Sequence, residues 1–224
     1  VGRVPLFMLD TNTVENPEED RDITSALYGG DRDMRLKQEI VLGIGGVRAL
    51  HRMGYRPDVF HMNEGHSALA ILERIRLLMQ EQPLSFFEAR EAVYASSIFT
   101  THTPVPAGID LFDRSLMTSY LGDYIHSLGI SMEIFFSLGT QDTNEPFNMA
   151  IMALKNSAQT NGVSELHRGV SRRMWSYLWK ALPQVDIPIE RVTNGIHIPS
   201  WISDDMASLF DRYLGRRWAE VQTM

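Results

Sequence analysis

Imidazole, amide and carboxylate groups stand at the ends of short apolar runs in this chain, which is where an α/β protein does its chemistry. The first run, Asp58 to Met62, delivers Asn63, Glu64 and His66 just ahead of an Ala- and Leu-rich segment. The second, Ser97-Ile98-Phe99-Thr100-Thr101, runs into His102-Thr103-Pro104, and the third, Ile189-Glu190-Arg191-Val192-Thr193, into Asn194-Gly195. In open α/β sheets ligands sit at the carboxyl ends of the strands. His66 could donate to a substrate hydroxyl while Glu64, two residues earlier, sets its tautomer. The same histidine also reads as a helix-start residue that caps backbone groups. His102 sits in a segment stiffened by Pro104 and Pro106, which could present its ring rigidly or simply complete a polar turn. Asn194 offers both a donor and an acceptor, which suits sugar hydroxyls, yet Asn-Gly is also a turn dipeptide. Three such strand ends together point to a site more strongly than any one of them.

Other chemistries have weaker claims. His61, His66 and His102 lack zinc-ligand spacing and no HExxH occurs, so no metal site is expected. Gly43-Ile44-Gly45-Gly46 does not follow a strand and is not a dinucleotide fingerprint. Asn161-Gly162-Val163 reads as a sharp turn into a helix that carries His167, itself a packed or capping residue. Trp175, Trp179, Trp201 and Trp218 read as core or interface. No carboxylate pair of the glycosidase kind stands out. The chain has no cysteine, which excludes disulfides and thiolate metal sites. A net charge of −7 argues against nucleic acid or an anionic membrane as partner. No apolar run is long enough to span a bilayer, and no secretory signal stands at the start. A cytoplasmic protein is the simplest reading.

The elements that must position these groups follow from the pattern. The 224 residues, 44% hydrophobic and 22% charged, suffice for one large domain with a sizeable core. Val4 to Leu9 reads as an apolar strand, and residues 10–34 as a long loop of the kind that is often functional. Arg35 to Met53 has helical periodicity despite Gly43, Gly45 and Gly46, which predicts a close backbone contact that compensates for the glycines. Ser67 to Gln80 is a second helix, with Ala68, Ile71, Leu72, Ile75 and Leu78 on one side. Ser85-Phe86-Phe87-Glu88 has capping-box spacing and starts a third. Residues 111–140 read as short helices, Phe147 to Ala158 as either strand or buried helix, and Ser164 to Leu178 as a helix with Leu166, Val170, Met174 and Leu178 in a stripe. Pro199 opens the last helical region. Strands alternating with helices imply a parallel sheet covered on both faces. The first residue, Val1, and a tail from Trp218 to Met224 without an evident cap predict a piece of a longer protein.

Six segments, in this order, resemble the α-glucan phosphorylases, the glycogen, starch and maltodextrin phosphorylase family. They are Arg35-Leu36-Lys37-Gln38-Glu39, Asn63-Glu64-Gly65-His66-Ser67-Ala68, Thr101-His102-Thr103, Phe147-Asn148-Met149-Ala150, Asn161-Gly162-Val163 and Thr193-Asn194-Gly195. Tyr28-Gly29-Gly30-Asp31 and the run Leu42 to Leu50 resemble the short bacterial and archaeal branch. The resemblance implies a Rossmann-like parallel sheet with helices on both faces, one domain of a two-Rossmann-domain glycosyltransferase of the GT-B type. Residues 1–224 would be the later part of its N-terminal glucan-binding domain. It implies phosphorolysis of terminal α-1,4-linked glucose in a glucan or maltooligosaccharide to glucose 1-phosphate. It also implies pyridoxal phosphate as cofactor, with the attachment lysine in a C-terminal domain outside this chain, so that the chain alone is expected to be inactive. The full-length protein is expected to be a homo-oligomer. By the resemblance, His102 holds the glucose 6-hydroxyl and turns its carbonyl to the reacting sugar, and Asn194 binds the 4- and 6-hydroxyls. Glu64 and His66 line the pocket beside the glucose. Glu64 departs from the aspartate of the animal enzymes, and Gly65 replaces a threonine. The same general fold also serves nucleotide-sugar-dependent glucan synthases and sugar-binding modules, which stand as the alternative reading.

Overall fold

The computed structural model describes residues 3–27, 30–142, 144–215 and 217–218. Tyr28, Gly29 and the tail after Trp218 lie outside them. The chain divides into two units, Val1–Val192 and Thr193–Met224.

In the first unit, a long loop with one short 3-10 turn leads into α1 (Arg32–Ile40), a wide π turn (Val41–Gly45) and α2 (Gly46–Arg52). Then follow β1 (Phe60–Asn63), α3 (Ala70–Glu81), α4 (Phe86–Ala95) and β2 (Ser97–Thr101). The short strand β3 (Leu111–Phe112) precedes α5 (Arg114–Ser127) and α6 (Met132–Gly139); β4 (Phe147–Asn148) pairs with β3 and leads into α7 (Met149–Lys155). The unit closes with β5 (Gln159–Gly162), α8 (Glu165–Met174) and β6 (Glu190–Arg191). Among the described residues, β1, β2, β5 and β6 form one sheet in that order, parallel throughout. The register sets Asn63 beside Thr100 and Thr100 beside Asn161, so the carboxyl ends of the first three strands finish level.

The core lies where the helices meet this sheet. Phe99, Leu69, Ile71, Leu72, Ile75 and Met149 are fully buried, and each such side chain contributes about 1.5–3 kcal/mol on leaving water. α4 begins as its sequence dictates. Ser85 accepts from the Glu88 amide while the Glu88 carboxylate returns to the Ser85 amide at 2.8 Å. Of the three glycines between α1 and α2, Gly43 has the close backbone contact the sequence predicts, while Gly45 and Gly46 have none among the described residues. A Cβ on Gly43 would lie 2.8 Å from the Ala70 nitrogen, so the rod can press against the start of α3 only with glycine there.

Three expectations from the sequence change. Val4–Leu9 forms no strand, and Val4, Leu6 and Met8 are largely exposed, so the run lacks the half-buried surface on which a strand packs. Asn161 and Gly162, read with Val163 as a sharp turn, instead end an interior strand of the sheet, Gln159–Gly162. The Leu166–Leu178 stripe faces inward only toward its end, where Met174 and Leu178 pack against the core. Leu166 is 79% exposed, and His167, Ser171 and Trp175 are the buried face, because steps of four residues drift about 40° per step on a helix of 3.6 residues per turn. The ambiguous run from Phe147 proves to be both, two residues of strand followed by a buried helix.

The second unit holds α9 (Ile198–Trp201) and α10 (Asp204–Leu214). The Ser203 side chain caps α10 at the Met206 amide, and the Trp218 indole donates to Asp211 at 2.9 Å. No helix among the described residues is long and apolar enough to cross a membrane.

Candidate functional site

At the carboxyl ends of β1 and β2 lies a polar cleft of about 660 Å³, lined by Arg35, Asn63, Glu64, His66, His102 and Asp110 among others. Each of these groups is held by a separate device. Glu64, which follows the last residue of β1, is the one non-glycine residue with positive φ among the described residues, at φ 63° and ψ 175°. That backbone region is close to glycine-only and costs on the order of 1–3 kcal/mol. Three hydrogen bonds oppose the strain. Glu64 Oε1 accepts from the His102 amide, from the Thr103 amide at 2.6 Å and from the Thr103 hydroxyl at 3.1 Å. The carboxylate of one strand end therefore pins the loop that leaves the next. The following Gly65 lets α7 approach, since a Cβ there would sit 3.0 Å from the Ala150 nitrogen.

His102 is half-buried on that pinned loop, and its Nε2 lies 2.8 Å from Asn63 Oδ1. With the amide oxygen as acceptor, Nε2 is the donor in this contact. Behind these groups a polar chain crosses the sheet. His61 Nε2 lies 2.6 Å from Thr100 Oγ1, which donates to Asn161 Oδ1 at 2.8 Å. Asn161 thus uses its side chain inside the sheet, not in a turn. His167 is buried, and its Nδ1 accepts from the Val163 amide, which is the packed role its sequence context predicts.

The opposite wall is an ion-pair network. Arg35 Nη2 donates to Asp110 Oδ2 at 2.8 Å and to Glu39 Oε1 at 3.2 Å, and His66 Nδ1 lies 3.2 Å from the same Asp110 oxygen. Hydrogen bonding to Asp110, with Glu39 close by, raises the His66 pKa to about 9, so the ring is cationic at neutral pH. Burial alone would raise Asp110, but His66 and Arg35 hold it well below the usual carboxylate range. Glu39, almost fully buried, goes the other way. Burial pushes its pKa up to about 7 against the opposing pull of His66, and its Oε2 has no partner among the described residues. Ligand atoms of Glu39, His66 and Asp110 lie within 4.8 Å of one another, close enough to hold a cation. The Arg35 guanidinium already bonds to both carboxylates, so the cluster is an ion-pair network rather than an open metal site. Glu64 does not set the His66 tautomer as its spacing suggested; Asp110 engages that ring.

The structure therefore brings Glu64, His66 and His102 to one cleft. Asn194 falls in the second unit, exposed in the segment before α9. Sequence reasoning set Asn63 at a strand end without a partner and gave no site role to Arg35, Glu39 or Asp110. The i,i+4 spacing of Arg35 and Glu39 was a usable signal; nothing local marked Asp110. None of the three lysines, Lys37, Lys155 and Lys180, lines the cleft, so this chain offers a pyridoxal group no amine there.

Fold and site together define an α/β protein with a parallel sheet flanked by helices and a hydrogen-bonding cleft at the strand ends. The family model for carbohydrate phosphorylases matches residues 10–224, and the chain belongs to that family. It is 43% identical over 220 residues to the maltodextrin phosphorylase of Thermococcus litoralis, covering 98% of this chain and 26% of that protein. It is 44% identical over 220 residues to the glycogen phosphorylase of Mycobacterium tuberculosis (93% and 26%) and 38% identical over 223 residues to that of Aquifex aeolicus (99% and 32%). The chain thus spans between a quarter and a third of the length of these curated relatives.

Proposed function

We propose that residues 1–224 are the later part of the N-terminal, glucan-binding domain of an α-glucan phosphorylase. In this reading the whole protein cleaves the terminal α-1,4-linked glucose of a glucan or maltooligosaccharide with phosphate and releases glucose 1-phosphate. The observation that supports it best is the His102 loop. A half-buried imidazole, fixed from one side by Asn63 and from below by the Glu64 clamp, is suited to read a sugar hydroxyl, because a rigid partner rejects ligands that leave it unpaired. His102 binds the glucose 6-hydroxyl, and Asn194 binds the 4- and 6-hydroxyls. His66, cationic and tied to Asp110, lines the pocket beside the sugar. Glu64 is a positioning residue that acts through His102 and Thr103. Pyridoxal phosphate belongs to the full-length protein, attached outside this chain; no step at this cleft runs through it. What the cleft supplies is orientation and electrostatic stabilisation of an oxocarbenium-like state. The full-length protein is taken to be a cytoplasmic homo-oligomer.

The test is to incubate the full-length protein with maltoheptaose, with and without phosphate, and to measure glucose 1-phosphate. Phosphate-dependent product is expected. His102→Ala and Asn194→Ala should each lower kcat/KM by about 10-fold or more, as loss of a sugar hydrogen bond worth roughly 1–3 kcal/mol requires. Product that needs a nucleotide sugar and ignores phosphate, or unchanged kinetics in both variants, would overturn the reading.

A further inference from the structure

A second cavity lies at the other end of the same sheet. It encloses about 300 Å³ beside Phe60, the first residue of β1, and Ser96, just before β2, and its walls include Tyr55, Arg56, Arg74 and His51. The strand between Phe60 and Asn63 separates it from the polar cleft by about 10 Å.

The cavity holds an arginine whose charge has no counterpart. Arg74, on α3, is half-buried, with its guanidinium 4.1 Å from the Phe60 ring centroid. Nη1 donates to Ser97 Oγ at 2.6 Å and Nη2 to Ser96 Oγ at 2.5 Å. Both serine hydroxyls in turn donate to main-chain carbonyls, Ser97 to Val93 and Ser96 to Ala92 or Val93. No carboxylate among the described residues pairs with Arg74. Of the other partly enclosed arginines among the described residues, Arg35, Arg76, Arg168 and Arg172 pair with a carboxylate, while Arg21, Arg90 and Arg114 do not, and none of those three lines this cavity. Burial accordingly pulls the Arg74 pKa down to about 10 with no opposing anion. Taking a cation out of water without a partner is costly, and a cavity bordering it gives an anion somewhere to sit.

The other charged groups facing the cavity reinforce the sign. Arg56 bonds through Nη1 only to the main-chain oxygens of His51 and Tyr55. The one carboxylate on the wall, Glu81, lies 3.8 Å from His51 Nδ1 and is half exposed. Two guanidinium groups against one solvent-facing carboxylate make this a cationic pocket on a chain of net charge −7. The remaining wall, with Tyr55, Pro57, Phe60 and Leu78, is apolar and partly aromatic.

We propose that this cavity binds a small phosphate monoester carrying a planar ring. The phosphate would pair with Arg74 and Arg56, whose forked donors match its oxygens, and the ring would lie on the apolar wall. The volume, at the small end for ligand pockets, suits a single ring. Nothing in this site touches the polar cleft, so binding here is independent of the sugar-binding reading.

Phenyl phosphate is the probe, titrated calorimetrically into the full-length protein, with inorganic phosphate, phenol and benzoate in parallel. Saturable binding of phenyl phosphate is expected, tighter than that of the other three, and weakened about 10-fold by Arg74→Leu. Arg56→Met, at a more exposed position, should weaken it by a smaller factor, and Glu81→Gln should strengthen it. His102→Ala should leave it unchanged, which separates this site from the cleft. Absence of saturation, binding unaffected by both arginine variants, or loss of binding in His102→Ala would overturn the proposal. Benzoate bound as tightly as phenyl phosphate would overturn the choice of phosphate.

Discussion

Glu73 and Glu39 are both buried carboxylates, with side chains 0% and 1% exposed, yet their surroundings are opposite. Glu73, on α3, has both oxygens filled. Arg48 donates at 2.8 and 3.2 Å, Arg76 at 2.5 and 3.0 Å, and the Tyr124 hydroxyl at 2.9 Å. Burial by itself would raise its pKa, but Arg76 and Arg48 bring it below the ordinary value. Glu39, at the end of α1, shares one arginine with Asp110 and leaves one oxygen unpartnered, and its pKa rises to about 7. Equal burial therefore does not mean equal role. The fully satisfied carboxylate ties three helices together as framework. The half-satisfied one stands behind the cleft, where a titrating group can be used.

The largest effect that should separate them is on stability. Glu73→Ala strands two arginines and a buried phenol, and should cost about 3–5 kcal/mol of unfolding free energy by chemical denaturation. A loss as small as that from a change at Glu39 would erase the distinction. The pH dependence should come next in size. The folded pKa of His66 lies above its ordinary value of 6.5, at about 9. Its contribution is fully present below pH 6.5 and is lost as the pH rises through 9, an amount on the order of 3 kcal/mol. His66→Ala should flatten the stability profile across that window, whereas Glu73, with a lowered pKa, should matter only as the pH falls below about 4.5. Denaturation at several pH values would show a shared slope if the two sites behaved alike. The smallest effect is expected from Glu39→Gln, which resembles the protonated acid. It should cost below about 1 kcal/mol at pH 5. It should then gain on the wild type as the pH rises from 4.5 to about 7, because over that range the unfolded wild type ionises while burial keeps the folded carboxyl protonated.

Much of the frame was legible from local pattern. β2 occupies the residues its apolar run marked, and the Ser85 cap falls where its spacing put it. These signals rest on neighbours within one turn or one strand. The misses have partners far away in sequence. Asn161 looked like a turn residue because what satisfies it, Thr100, is 61 residues earlier, and Asp110 looked like an ordinary loop carboxylate because Arg35 is 75 residues earlier. His66 and Glu64 line the same cleft, but not as partners. Sequence places them two apart, but the positive φ at Glu64 turns its carboxylate to the His102 loop instead.

The wide turn at Val41–Gly45 also bears on how such a chain can vary over time. It makes the rod from Arg32 to Arg52 one residue longer than a regular helix over the same course. Inserting a further residue there, beyond the one the turn already absorbs, would rotate everything after it by about 100°. Val47 would then leave the core and Arg48 would leave Glu73. Arg35 and Glu39, upstream, would keep their places while the fold downstream lost its own. Insertions should therefore be costly in this rod and tolerated in the loop 10–27 that precedes it, so that the length of the rod is more tightly constrained than the identity of most residues along it.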